Sequence, residues 1–293
     1  MSNHAQSVLL PSTVLTGQPL TKPKRRGRRR DWIGVALLAF LVFFILGPIS
    51  TVILWAFALR WTGGALIPQE FGFRFWEMIF ARADVRSAIP NTIIISESVT
   101  VLSALVCLPA SFAFARMRFV GRQFFLLSFL MTNAFPRFAL YLSIAVVFFR
   151  LHLIGTQFGV ILIELLNTTL LMIWIPTAAF QGVERGLEEA ALDVGATRLQ
   201  VFIRVTIPLV FPAIASALLL TFVGTFYVAV AVILIGAPNV LTIPVIMYPL
   251  INNTLVTQYG AILSLVLWVP SLVLLFFARR LVRGSYLTAG FGV

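Results

Sequence analysis

Long apolar runs limit what this chain can become more than any other feature of its sequence. They lie near Trp32–Leu59, Asn91–Ala115, Phe124–Phe149, Phe158–Phe180, Leu209–Ile235 and Tyr259–Ala278. A helix rises about 1.5 Å per residue, so about 20 apolar residues cross about 30 Å of hydrocarbon, and each run meets that length. Helices satisfy their own backbone hydrogen bonds in lipid, whereas a barrel would need many short alternating strands that this sequence does not offer. The expected fold is an all-α integral membrane protein of about six transmembrane helices. Composition agrees: 60% hydrophobic and 11% charged residues, with a mean hydropathy of +1.00, exclude an ordinary soluble globule. The first run follows basic residues as a secretory signal does, but Trp32–Leu59 far exceeds the roughly 7–15 residues of a signal core.

The net charge of +12 is distributed as a membrane protein distributes it. Lys22, Lys24, Arg25, Arg26, Arg28, Arg29 and Arg30 crowd directly before the first run. With the amino terminus inside, the cytoplasm also receives Arg116, Arg118, Arg122, Arg185, Arg198, Arg204, Arg279, Arg280 and Arg283. The outside receives Arg60, Arg74, Arg82, Arg86 and Arg150, an imbalance that places both termini in the cytoplasm. The resulting organisation is a polar and basic tail over 1–31, a transmembrane domain over 32–283 and a short tail over 284–293. Aromatic residues sit within the apolar runs and not between the arginines, which argues against nucleic acid as a partner and for membrane lipid.

Catalytic chemistry finds little support. The single Cys107 lies in an apolar run, and His4 and His152 stand alone, so no metal site and no catalytic residues are expected. The only lysines are Lys22 and Lys24, so no G-x-x-x-x-G-K-[ST] phosphate loop exists and the chain cannot hold ATP that way.

The internal connection of about 181–208 carries the most information. Leu187–Leu192 favours helix, with Glu188 and Glu189 near its start, and Gly195 can turn the backbone without steric cost. A second amphipathic stretch has Leu199, Phe202, Ile203 and Ile207 on one side, until Pro208 opens the next run. The expectation is a helix-turn-helix on the cytoplasmic face. Glu189-Ala190-Ala191, three residues, Gly195, nine residues and then Val205-x-Ile207-Pro208 resembles the EAA loop of binding-protein-dependent ABC importer permeases. Asn91, Ala113-Phe114-Ala115-Arg116 and Phe119-Val120-Gly121-Arg122 look like the same family, and the resemblance runs from about Pro48 to Arg283.

That resemblance implies a transport subunit, not an enzyme, in the bacterial inner membrane, with Glu188, Glu189, Ala190, Ala191, Asp193, Gly195 and Pro208 forming the coupling element. It also implies partners: ATP-binding subunits, in two copies, that hold ATP and Mg while this chain binds no cofactor; a second permease, or a second copy of this chain; and an extracytoplasmic solute-binding protein. Leu192-Asp193-Val194-Gly195-Ala196-Thr197 is similar to the polyamine, opine and aminophosphonate branch, and carbohydrate importers, for oligosaccharides or polyols, are the alternative. In that branch the fifth span often carries an acidic pair where this chain has Thr225-Phe226-Tyr227-Val228, which makes Thr225, Phe226 and Tyr227 candidates for the translocation path. A secondary transporter would show internal repeats, and none is evident.

Charges inside spans are costly unless paired or wetted. Glu97, Arg137 and Glu164 lie within apolar runs, so Arg137 is expected to pair with one of the two acids or to meet the solute.

Overall fold

Backbone in hydrocarbon must bond to itself, and helix dominates the described chain accordingly. The computed structural model describes residues 29–282 apart from 63, 133, 254 and 255, with side chains described over 32–276 apart from these four and 132. The tails at 1–28 and 284–293, and the side chains of Arg279, Arg280 and Arg283, lie outside the described residues. The chain divides into two units, Met1–Pro48 and Ile49–Val293, with the division falling inside α1 (Arg29–Phe57). In the first unit the side chains from Trp32 to Leu46 are exposed, as lipid-facing residues would be, and Phe40 stacks on Phe44.

The second unit takes in the end of α1, then a two-stranded antiparallel ribbon, β1 (Ala58–Arg60) and β2 (Glu70–Phe71), and the short helix α2 (Arg74–Ala81). There follow α3 (Ala83–Arg116), α4 (Arg122–Thr132), α5 (Arg137–Arg150), α6 (Gln157–Gly182), α7 (Arg185–Asp193), α8 (Arg198–Val201), α9 (Ile207–Phe226), α10 (Ile243–Asn252) and α11 (Thr257–Val282). Among the described residues, Trp32–Phe57, Ala83–Arg116, Gln157–Gly182, Arg198–Phe226 and Thr257–Phe276 are long and apolar enough to cross a membrane.

Three departures from the simple six-run picture have local causes. The third run is two helices, α4 and α5, because Pro136 lacks an amide hydrogen and disfavours helix in the residue before it. The fifth run ends at Phe226, and the chain leaves helix over Tyr227–Ala229 before a π-helical turn at Val232–Gly236. That turn lies against α6 so closely that a Cβ on Gly236 would stand 2.9 Å from Val160 Cγ2. Third, the short apolar helix α10 occupies a connection to which the periodicity assigned no element.

Polar bonds knit α3 to α6. Ser103 and Thr168 share a hydroxyl bond of 2.6 Å, Ser111 donates to Met172 O at 3.0 Å, and Gln157 donates to Asn91 Oδ1 at 2.9 Å. Asn91 in turn donates to Leu241 O, and Thr92 Oγ1 accepts from Ile243 N, which docks the start of α10 on α3.

The connection from α1 to α3 packs aromatic residues together, as interfacial segments favour. Phe57 lies between Phe73 and Trp76, and the Trp76 indole donates to Ala56 O at 2.7 Å. Trp76→Phe keeps a ring against Phe57 but strands that carbonyl, so it is expected to cost about 1 kcal/mol. A lowered thermal midpoint in detergent is the measurement, and an unchanged midpoint would dissociate the bond from stability.

Candidate functional site

The connection between α6 and α9 is a built device. α7 ends on Gly195, whose φ of +91° is a conformation that glycine adopts freely and that costs other residues about 1–2 kcal/mol. Gly195 N donates to Leu192 O at 2.9 Å and Ala196 N to Ala191 O at 3.1 Å, the pair of bonds that closes a helix C-terminus in a Schellman motif. Two residues later Thr197 and Gln200 cap α8 reciprocally: Gln200 N donates to Thr197 Oγ1, and Thr197 N to Gln200 Oε1.

Beyond α8 the sequence predicts an interruption at Pro208, and the structure corrects that boundary. A π-helical turn over Phe202–Thr206 joins α8 to α9, with Ile207 N donating to Phe202 O, so Arg198–Phe226 is one apolar helical stretch. Pro208 has no amide hydrogen, and it falls among the first residues of α9, where the widened turn has already shifted the hydrogen-bond register.

Within the loop the two glutamates part company. Glu188 Oε1 accepts from Arg116 Nη2 at 3.0 Å and from Thr206 Oγ1 at 2.7 Å, while Arg116 also donates to Val183 O. One carboxylate therefore ties α7 to the end of α3 and to the start of α9. Glu189, Ala190, Asp193 and Gly195 are exposed, and Ala191 is half-buried. Sequence reasoning placed Glu188 with the exposed group and missed Arg116 and Thr206 as its partners. The signal available was that Ala113-Phe114-Ala115-Arg116 belongs to the same resemblance as the loop. Since both charges are mostly enclosed, a double-mutant cycle of Arg116→Gln and Glu188→Gln is expected to give a coupling energy of about 1–2 kcal/mol in thermal unfolding. Simple additivity would show that the pair holds nothing together.

The second feature is a cavity of about 490 Å³ between α5, α6 and the broken end of α9. Its wall includes Arg137, Asn167, Thr168, Thr221, Thr225 and Tyr227, together with the non-helical backbone at Val228 and Ala229. Of the three path candidates, Thr225 and Tyr227 reach this cavity, whereas Phe226 is buried in the core that includes Ile243 and Ile262. The Tyr227 hydroxyl bonds Leu267 O at 3.2 Å and Ser271 Oγ at 3.1 Å, and its other side lines an apolar pocket of about 330 Å³ with Met247, Leu265 and Trp268.

The expected intramembrane ion pair is not formed. Among the described residues the ion pairs join Arg82 to Asp84 and Arg116 to Glu188. Glu164 is buried at 1% exposure and takes its hydrogen bond from Asn167 Nδ2, one turn along its own helix; Glu97 is exposed. Arg137 starts α5 just past the break at Pro136, and its place in the cavity wall leaves it outside contact distance of either acid.

The sequence matches the family described as "Binding-protein-dependent transport system inner membrane component" over residues 106–285, which contain the whole loop. It is 31% identical over 268 residues to the trehalose transport system permease protein SugB of Mycobacterium tuberculosis, covering 88% of this chain and 93% of that one. To the maltose/maltodextrin transport system permease protein MalG of Escherichia coli strain K12 it is 30% identical over 295 residues, covering 92% and 98%. Among solved structures, a bacterial ABC transporter that imports the acidic polysaccharide alginate superposes with a TM-score of 0.68 at 21% identity, covering 90% of this chain and 99% of the other. The MetNI methionine ABC transporter superposes with a TM-score of 0.56 at 16% identity, covering 73% and 98%.

Proposed function

The chain belongs to the family of binding-protein-dependent transport system inner membrane components, the permeases of ABC importers, and on that premise we propose that a separate ATPase drives it through α7. The observation that carries this reading is the division of labour between neighbouring glutamates. Glu188 faces inward and fastens α7 to two spans, while Glu189 and Ala190 face out with little bulk between them and a partner. A short helix closed at Gly195, turned directly into α8, which runs on through the π turn into α9, passes a push to the membrane, where a flexible loop would absorb it. Ala190 and Ala191 are small enough to enter a cleft, and Glu189 can meet a basic group there.

In this reading two ATPase subunits bind ATP and Mg, and this chain binds neither. A second permease, or a second copy of this chain, completes the passage. A solute-binding protein delivers cargo from outside, and both termini are cytoplasmic, as the arginine distribution supports.

The solute is best read as a carbohydrate. Proteins 30–31% identical over most of the chain carry trehalose and maltose in their names, and the cavity wall includes Asn167, Thr225 and Tyr227, which suit a polyhydroxylated molecule. Arg137 in the cavity wall counts against a polyamine, because it would face a polycation with like charge.

Gly195→Val tests the coupling role. The strained φ should distort the α7 cap, and an equilibrium cost of about 1–2 kcal/mol corresponds to a fall in uptake of about five- to thirtyfold, with membrane insertion retained. Uptake at the wild-type rate, by vesicles carrying the variant importer and given whichever of a panel of neutral and acidic sugars the wild type takes up, at normal ATPase stoichiometry, would refute that role. For the path, Tyr227→Ala should lower sugar uptake more than basal ATP hydrolysis; equal loss of both, with poor assembly, would assign Tyr227 to packing.

A further inference from the structure

Resting on the reading of this cavity as the solute path, we infer that the solute carries an anionic group, a carboxylate or a phosphate, and that Arg137 binds it. A guanidinium in a membrane-spanning region is expensive unless it is paired, hydrogen-bonded or wetted. Arg137 donates no hydrogen bond and forms no ion pair within the described chain. It is exposed, it begins α5, and it stands in the wall of the cavity. Glu164, whose charge reaches the same region, is enclosed and bonded to Asn167, so it leaves the cation's fork free.

The rest of the wall has the chemistry of a sugar site. Asn167, whose amide nitrogen is given to Glu164, keeps its oxygen for a sugar hydroxyl, and Thr225, which donates to Thr221 O, keeps lone pairs for another; Tyr227 also lines the cavity. Thr221, exposed by 1%, has a hydroxyl with no partner in the chain although its residue lines the cavity. The walls therefore meet sugar hydroxyls while one fixed cation meets a planar carboxylate or a phosphate bidentately, an interaction for which arginine is suited and lysine is not. The selectivity that follows is for a sugar acid or a phosphorylated sugar over a neutral sugar of the same size.

The experiment uses the assembled importer in nanodiscs, with both permeases and ATPases and without the solute-binding protein, so that only the membrane site is read. Binding of digalacturonate, its neutral methyl ester, glucose 1-phosphate and maltose is compared by saturation-transfer NMR. Wild type should bind digalacturonate or glucose 1-phosphate about tenfold or more tightly than the ester and maltose, and which of the two binds identifies the carboxylate or the phosphate. Arg137→Gln should erase the preference, and Arg137→Lys should keep part of it. Equal binding of acid and ester by wild type overturns the proposal, whether because the second permease neutralises Arg137 or because the solute is neutral. Equal binding that Tyr227→Ala abolishes would overturn it while retaining the cavity as the path. Failure of every probe to bind would overturn both readings together. A preference unchanged in Arg137→Gln would remove Arg137 from the site.

Discussion

Helices surrounded by hydrocarbon gain nothing by hiding apolar surface from one another, so something other than the hydrophobic effect must hold α3 to α6. Here it is hydroxyl chemistry on close-approaching faces. Ser103 meets Thr168, Ser111 reaches the carbonyl of Met172, and Asn91 joins Gln157 at one end while reaching Leu241 with its amide. Every functional feature is referred to this pair. α3 ends on Arg116, which holds the α7–α8 loop through Glu188, and α6 supplies Asn167 and Thr168 to the cavity. The two ends of the molecule are thus built on one rigid seam.

The α7–α8 loop and the cavity are also joined through α9. The apolar helical stretch that starts at Arg198 passes through the π turn and Pro208 and ends in the cavity wall at Thr225. A rigid body pushed at one end moves at the other. The break at Tyr227–Ala229 is where that rigidity stops, and its backbone bonds locally, Val228 N to Thr225 O and Ile233 N to Ala229 O, where it lines the cavity.

Much of this was legible in the residues. The apolar runs gave the spans, and Glu189-Ala190-Ala191 with Gly195 gave the loop, its turn position included, because a positive φ at a glycine is a local property of the backbone. The partners of Glu188 were not legible, since Arg116 and Thr206 lie 72 and 18 residues away and only tertiary packing brings them together. For the same reason the choice for Arg137 between an acid and the solute stayed open in the residues: hydropathy locates a charge along a helix but not the side of the helix it occupies. Phe226 illustrates the same limit. It is adjacent to two cavity residues, yet the helical turn of about 100° per residue sends it into the core.

Tyr227 lines two chambers, the cavity that holds Arg137 and a more apolar pocket with Met247 and Trp268. Its ring is in effect a partition one side chain thick, pinned by its hydroxyl to Leu267 and Ser271. Because the pin joins α9 to α11, any rotation of α9 strong enough to reshape the cavity must either carry α11 along or open the wall.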